Sequence, residues 1–156
     1  MMKFNIPHSV QVEHEELHAE LEKAVASGGE TGAAARKVAE AVHAHFESEE
    51  NYALPPLGLL PVLAEGRISS EMAQVVEMTD MLKAEMPHML EEHKAIVASL
   101  QKLIKAASQE KKTEHIHFAE KLMLHARNEE EVLYPTAILI GEYVRLVLDV
   151  HGLEHA

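Results

Sequence analysis

Apolar positions recur with a helical period along most of the chain. Val10, Leu17, Leu21 and Val25 form one stripe, interrupted by His14 and His18, and predict a helix from about Val10 to Val25. The stretch SGGETG from Ser27 to Gly32 ends it, glycine being a common stop at helix C-termini. The segment AAARKVAEAVHAHFESEENYAL is rich in strong helix formers and predicts a second helix that stops at Pro55-Pro56. LPPLGLLPVLAEG, punctuated by prolines and glycines, reads as a packed connection holding at most a short helix. From Ser70 the helical pattern resumes and passes Pro87 into HMLEEHKAIVASLQKLIKAAS, and the proline is expected to kink or split this element. A fourth helix is expected from near Glu110 to Pro135. TAILIGEYVRLVLDV then predicts a terminal helix over about 136–150, packed on the others or forming a homodimer face. No segment alternates with the period of a strand. The expected class is therefore all-α: an antiparallel four-helix bundle over about 6–135 with an additional C-terminal helix, the whole of 1–156 being one domain.

The polar residues that interrupt these stripes repeat. HFESEENYALP begins at His45 and HARNEEEVLYP begins at His125; Glu49, Glu50 and Pro55 follow the first histidine at the same offsets as Glu129, Glu130 and Pro135 follow the second. The first and third helices also match, Glu13-His14 with Leu17 and Leu21 against Glu92-His93 with Ile96 and Leu100. The distance from His14 to His45 equals that from His93 to His125 to within one residue, so one helix pair is used twice. Residues four apart lie on one helix face, which lets His45 with Glu49, and His125 with Glu129, each grip one small cation. His14 and His93 stand in apolar stripes and are expected to point inward. Burying imidazoles and carboxylates together costs several kcal/mol unless they are paired or metal-bound. The expected ligands are thus His14, His45, Glu49, His93, His125 and Glu129. They suit two metal ions, each taking two imidazoles, with both carboxylates bridging and an oxo or hydroxo bridge completing the centre. This ligand chemistry favours iron and also admits manganese or zinc.

Composition narrows the choice. With no cysteine in 156 residues, disulfides, thiolate metal sites, iron–sulfur ligation and cysteine nucleophiles are excluded, and any metal must use nitrogen and oxygen. A net charge of −12 argues against a nucleic-acid or anionic-membrane partner. There are 12 histidines and 26 acidic residues against 3 Phe, 3 Tyr and no Trp, so nitrogen and oxygen ligands are plentiful. Neither a secretory signal nor a membrane-length apolar run is read from the sequence, and a cytoplasmic protein is expected.

At these residues the chain, from roughly Ile6 to Pro135, resembles the hemerythrin-like family, the HHE cation-binding domains. The resemblance implies a four-helix bundle with a non-haem di-iron site and carries over the same six ligands. Two departures separate it from the oxygen-carrying members: they place a fifth histidine where Met89 stands, and they end the fourth-helix motif with Asp where Glu130 stands, whereas here Glu129 comes one position earlier. The six-ligand set is similar to that of di-iron proteins implicated in repair of iron centres under nitrosative stress, whose cysteine-containing N-terminal domain has no counterpart here.

The remaining histidines are assigned one by one. His18, one turn after His14, could be a fifth ligand or, preferably, a hydrogen-bond partner behind the ligands. His8 and His88 each follow a proline and are expected to be exposed at helix starts, with a role at the mouth of the site left open. His43, His115, His117, His151 and His155 are expected at the surface. Met86, Met89 and Met123 are expected to fill core and could line a pocket for a diatomic ligand. The leading functional expectation is a di-iron protein that binds or reacts with dioxygen, nitric oxide or peroxide, as sensor, scavenger or iron donor, whether or not it turns over as an enzyme. One alternative is a ferritin-like carboxylate oxidase built on the Glu-x-x-His triplets Glu15/His18, Glu40/His43, Glu85/His88 and Glu114/His117. The other is a metal-free acidic helical interaction module.

Overall fold

The structure is a computed structural model that describes residues 4–155, with side chains described from Phe4 to Asp149. Among the described residues there is no strand. In chain order the helices are α1 (His8–Ala26), α2 (Gly29–Ser48), α3 (Leu60–Ala64), α4 (Ala73–Gln109), α5 (Thr113–Asn128) and α6 (Tyr134–His155). Two π-helical turns, Glu49–Ala53 and Glu129–Leu133, come directly after α2 and α5, and short 3-10 turns occupy Pro55–Leu59 and Ser70–Met72.

Proline behaves differently from expectation at two places. Pro87 does not split its element: α4 runs unbroken across it. A proline inside a helix forfeits one hydrogen bond and crowds the carbonyl four residues back. Here the buried Leu82, Met89, Ile96, Leu100 and Leu103 hold one apolar stripe along the helix on both sides of that defect. Pro135 does not end the fourth helix either. It is the second residue of α6, which continues without a gap from the π turn Glu129–Leu133. The π turn just before it is wider than an α turn, which relieves the clash that a proline ring makes with the carbonyl four residues back.

By internal contact the described chain forms two compact units, one of His8–Glu47 with Pro87–Glu129, the other of Ser48–Met86 with residues from Glu130 onward and the N-terminal segment. The first unit has a core drawn from four helices: Leu17, Leu21 and Ala24 of α1; Ala35, Val38, Val42 and Phe46 of α2; Ile96, Leu100 and Leu103 of α4; Phe118, Ala119 and Leu122 of α5. Burying each of the larger side chains stabilises the fold by roughly 1.5–3 kcal/mol. Two linking turns close this unit at one end and bond to each other. Glu110 accepts hydrogen bonds from the Thr31 hydroxyl, the Thr31 N–H and the Glu30 N–H at the start of α2. Lys112 Nζ donates to the carbonyls of Ser27 and Gly28.

The second unit buries Leu54, Leu57, Leu59, Met72, Val75, Tyr134, Ala137, Ile140 and Val144. Within it α6 packs on the Pro55–Leu59 turn. Close approach explains two glycines: a Cβ on Gly141 would stand 1.8 Å from Thr79 Oγ1, and one on Gly58 would stand 2.0 Å from the Asn5 carbonyl oxygen. Leu139, Tyr143 and Leu146 of α6 are exposed. No helix among the described residues is long and apolar enough to cross a membrane.

Candidate metal centre

The buried stripe of α1 passes through His14, Leu17, Leu21 and Ala24. That of α5 passes through His115, Phe118, Leu122 and His125. Histidine therefore takes positions that the helical period reserves for core residues. All six expected ligands are buried: His14 and His125 are 4% exposed, His93 2%, His45 and Glu129 1%, and Glu49 0%. The structure gathers them into two groups, His14, Glu49, His125 and Glu129 in one and His45, Glu49, His93 and Glu129 in the other. Within each group the four ligand atoms lie within 4.8 Å of one another, and the two carboxylates belong to both. These buried histidines and glutamates could hold a metal ion.

The imidazoles meet in pairs. His14 Nε2 faces His125 Nε2 at 3.2 Å, and His93 Nε2 faces His45 Nε2 at 2.8 Å. Two imidazole nitrogens bound at about 2.1 Å and at right angles on one ion stand roughly 3 Å apart, so the pairs have the span that one ion requires. Glu129 divides its oxygens between the pairs. Oε2 lies 3.3 Å from His125 Nε2 and 3.8 Å from His14 Nε2, while Oε1 lies 3.4 Å from His93 Nε2. Glu129 Oε2 is fully buried yet makes no hydrogen bond, although an imidazole nitrogen is close by. A buried carboxylate oxygen left in that condition is costly without a cation, and this is the observation by which the donor set fits a metal.

Both glutamates open a π-helical turn, Glu49–Ala53 and Glu129–Leu133. In the first, the Leu54 N–H donates to the Glu49 carbonyl at 2.9 Å, a bond that spans five residues instead of four. Such widened turns are rare and recur at functional sites. Each ends one residue short of its matched proline, Pro55 or Pro135, where an α turn would set a ring against the carbonyl four residues back.

Sequence reasoning misses two carboxylates at this site. The His125 Nδ1–H donates to Glu13 Oε1, and the His45 Nδ1–H donates to Glu92 Oε1 at 3.2 Å. The signal is present as the repeated Glu-His dipeptide, but a sequence does not say which ring each glutamate reaches. Phe46 is missed too; its ring lies 4.9 Å from that of His14 and shields it on one side.

Other expected roles resolve individually. His18 is exposed, belongs to neither ligand group, and sets its ring against Phe46 at 5.2 Å. Four residues advance a helix by a little more than one turn, and the buried stripe of α1 continues through Leu17, so His18 falls on its flank. His115, expected at the surface, is buried at 4% exposure because it heads the α5 stripe. His8, His43, His88 and His117 are exposed, although His88 lies inside α4 and not at a helix start. The side chains of His151 and His155 lie outside the described residues. Met89 is fully buried, Met123 packs against the core, and Met86 is half-buried. Both members of every Glu-x-x-His triplet are exposed.

Compared with family models, with curated proteins and with solved structures, the chain matches none of them.

Proposed function

We propose that this chain is a hemerythrin-like non-haem di-iron protein, an antiparallel four-helix bundle whose centre binds or reacts with dioxygen, nitric oxide or peroxide as sensor, scavenger or iron donor. The observation that carries the reading is Glu129, one carboxylate that turns Oε2 toward His14 and His125 and Oε1 toward His93. Each ligand group would take one ion, with His14 and His125 on one, His45 and His93 on the other, and Glu49 and Glu129 shared between them. Imidazole with carboxylate suits iron, and manganese or zinc are compatible with the same donors. When bound, a pair of iron ions supplies electron exchange and open positions for a small oxidant or diatomic molecule. The protein's own part is to hold the ions by buried side chains and to exclude water, with Phe46, Leu17, Ile96, Leu122 and Met89 buried in the same unit. A carboxylate-rich oxidase site gains no support from its triplets, all of them exposed.

The test is metal quantitation on protein purified in air. About two irons per chain, with the visible absorption of a ferric centre, support the proposal. Colourless, metal-free protein with its helices intact sinks it, and the metal-free interaction module then takes its place. Anaerobic reduction followed by separate exposure to dioxygen, nitric oxide and peroxide chooses among the ligands. The exposed Leu139, Tyr143 and Leu146 favour a homodimer through α6; sedimentation as a monomer at high concentration removes that part alone.

A further inference from the structure

Each repeated Glu-His dipeptide grips one imidazole from another helix at both of its nitrogens. On α1, His14 Nε2 stands 3.2 Å from His125 Nε2, while Glu13 accepts the hydrogen of His125 Nδ1. On α4, His93 Nε2 stands 2.8 Å from His45 Nε2, while Glu92 Oε1 accepts from His45 Nδ1 at 3.2 Å. Adjacent residues on a helix diverge by about 100°, which lets two neighbours reach opposite edges of one ring without a bend in the backbone. The glutamates differ from the ligands in burial. Glu13 and Glu92 keep 45% and 20% side-chain exposure, so neither is forced into the arrangement by the core.

We propose that Glu13 and Glu92 are positioning residues for the metal ligands His125 and His45. The inference rests on the metal-binding reading above and adds the control of ring orientation and tautomer. A neutral imidazole carries one N–H. A carboxylate at Nδ1 keeps the hydrogen there, leaves the Nε2 lone pair facing the ligand group, and raises its basicity toward a cation. Because the acceptor comes from a different helix, ring orientation is fixed by the packing of α1 on α5 and of α4 on α2. Each dipeptide thus serves the ring opposite its own histidine.

The experiment uses the full-length chain and its Glu13→Gln, Glu13→Ala, Glu92→Gln and Glu92→Ala variants, with two readouts. The first is ¹⁵N NMR of the histidine side chains, which reports tautomers without metal. Wild type is expected to hold His125 and His45 as Nδ1–H tautomers, Glu13→Ala to change His125 alone, and Glu92→Ala to change His45 alone. The second is the affinity for ferrous iron added anaerobically to chelator-treated protein. Each alanine variant is expected to bind about 10–100-fold more weakly, and each glutamine variant, which retains a carbonyl acceptor, to fall between alanine and wild type. Unchanged melting temperatures of the metal-free variants accompany that result; a purely structural role would lower them instead. Wild-type tautomers and iron affinity in all four variants overturn the proposal. If wild type itself binds no iron, the metal reading fails first, and the NMR result still shows whether the glutamates set the rings.

Discussion

The helix pair α1–α2 and the pair made by α4 with α5 carry the same ligand pattern and leave it by different routes. After Glu49 the π turn gives way to a 3-10 turn at Pro55 and the short α3; after Glu129 the matching turn runs straight through Pro135 into α6. Pro55 and Pro135 stand at the same offset from their histidines, so neither of these two prolines decides the outcome. The residues beyond each proline decide it. Pro56, Gly58 and Pro61 break the first run, whereas the apolar TAILIGEYV after Pro135 can continue a helix. The His-to-Glu ligand spacing is thus local, within one turn of each histidine, and the architecture beyond it is set by the downstream sequence.

The sharpest break of this comparison comes from the ligands. Glu129→Ala is expected to abolish iron retention at both positions, because its oxygens serve both groups. His45→Ala and His125→Ala are expected to weaken binding to a similar extent, as equivalent members of the two pairs. His18→Ala, on an exposed residue outside both groups, is expected to leave iron content unchanged. Iron per chain after gel filtration checks all four; unequal losses from His45→Ala and His125→Ala end the equivalence of the pairs.

The divergent continuations each depend on a glycine at a close approach, and the next largest effect lies there. Gly58→Ala drives a Cβ to 2.0 Å from a backbone oxygen of Asn5, and Gly141→Ala drives one to 1.8 Å from Thr79 Oγ1. Each is expected to destabilise by about 1–3 kcal/mol, as overpacked sites do. That is a fall in melting temperature of roughly 2–4 °C per kcal/mol for a chain of this size. For Gly141 this outweighs the roughly 1 kcal/mol that alanine gains in helix propensity. A melting temperature that rises in Gly141→Ala would show that the α4–α6 contact has room for a methyl group.

Much of this is legible from the sequence because the governing signal is local and periodic. The stripes through Leu17 and Leu21 and through Ile96 and Leu100 predict core positions that the structure buries, and the six repeated His and Glu positions come together as two groups. The failures share a physical origin. Local rules make Pro87 and Pro135 helix breakers, but packing on either side of a proline, or a widened turn before it, is a tertiary matter. Charged neighbours in sequence suggest a surface place for His115, although Phe118, Leu122 and His125 at helical spacing mark its face as buried. Glu13 and Glu92 bond to rings distant in the chain, and no local pattern states which ring.

The linking turns at the far end of the two pairs offer the next contrast. The α4–α5 turn supplies Glu110, whose carboxyl is lowered from 4.5 to about 2, first by the Thr31 hydroxyl, then by the Thr31 and Glu30 N–H groups and the Lys112 ammonium. A folded-state value below the unfolded one means that the unfolded chain binds more protons between the two, so stability falls as pH falls there. The contribution is full above about 4.5 and fades toward about 2. Glu110→Gln is expected to melt below wild type at neutral pH, with the gap closing across that window. A gap independent of pH would show that the carboxylate charge plays no part in holding the start of α2.

The smallest effect separates the two turns by residue type. The α1–α2 turn places Gly28 and Gly29 at φ +72° and +63°, whereas the α4–α5 turn places Lys111 at φ +59°. The Lys112 N–H bonds to the Ala107 carbonyl and the Lys111 N–H to that of Ser108, the pair of bonds that closes a helix around a left-handed residue. That conformation costs a side chain roughly 1–2 kcal/mol, against the roughly 0.4–1 kcal/mol by which glycine's greater freedom favours the unfolded chain. Lys111→Gly is therefore expected to stabilise by about 0.5–1 kcal/mol, seen as a melting temperature a few degrees higher. Gly28→Ala is expected to move in the opposite direction, since no atom crowds its Cβ and only the backbone angle opposes it. Opposite signs at the two turns isolate the left-handed backbone as the cause; equal signs assign the difference to the Lys111 side chain.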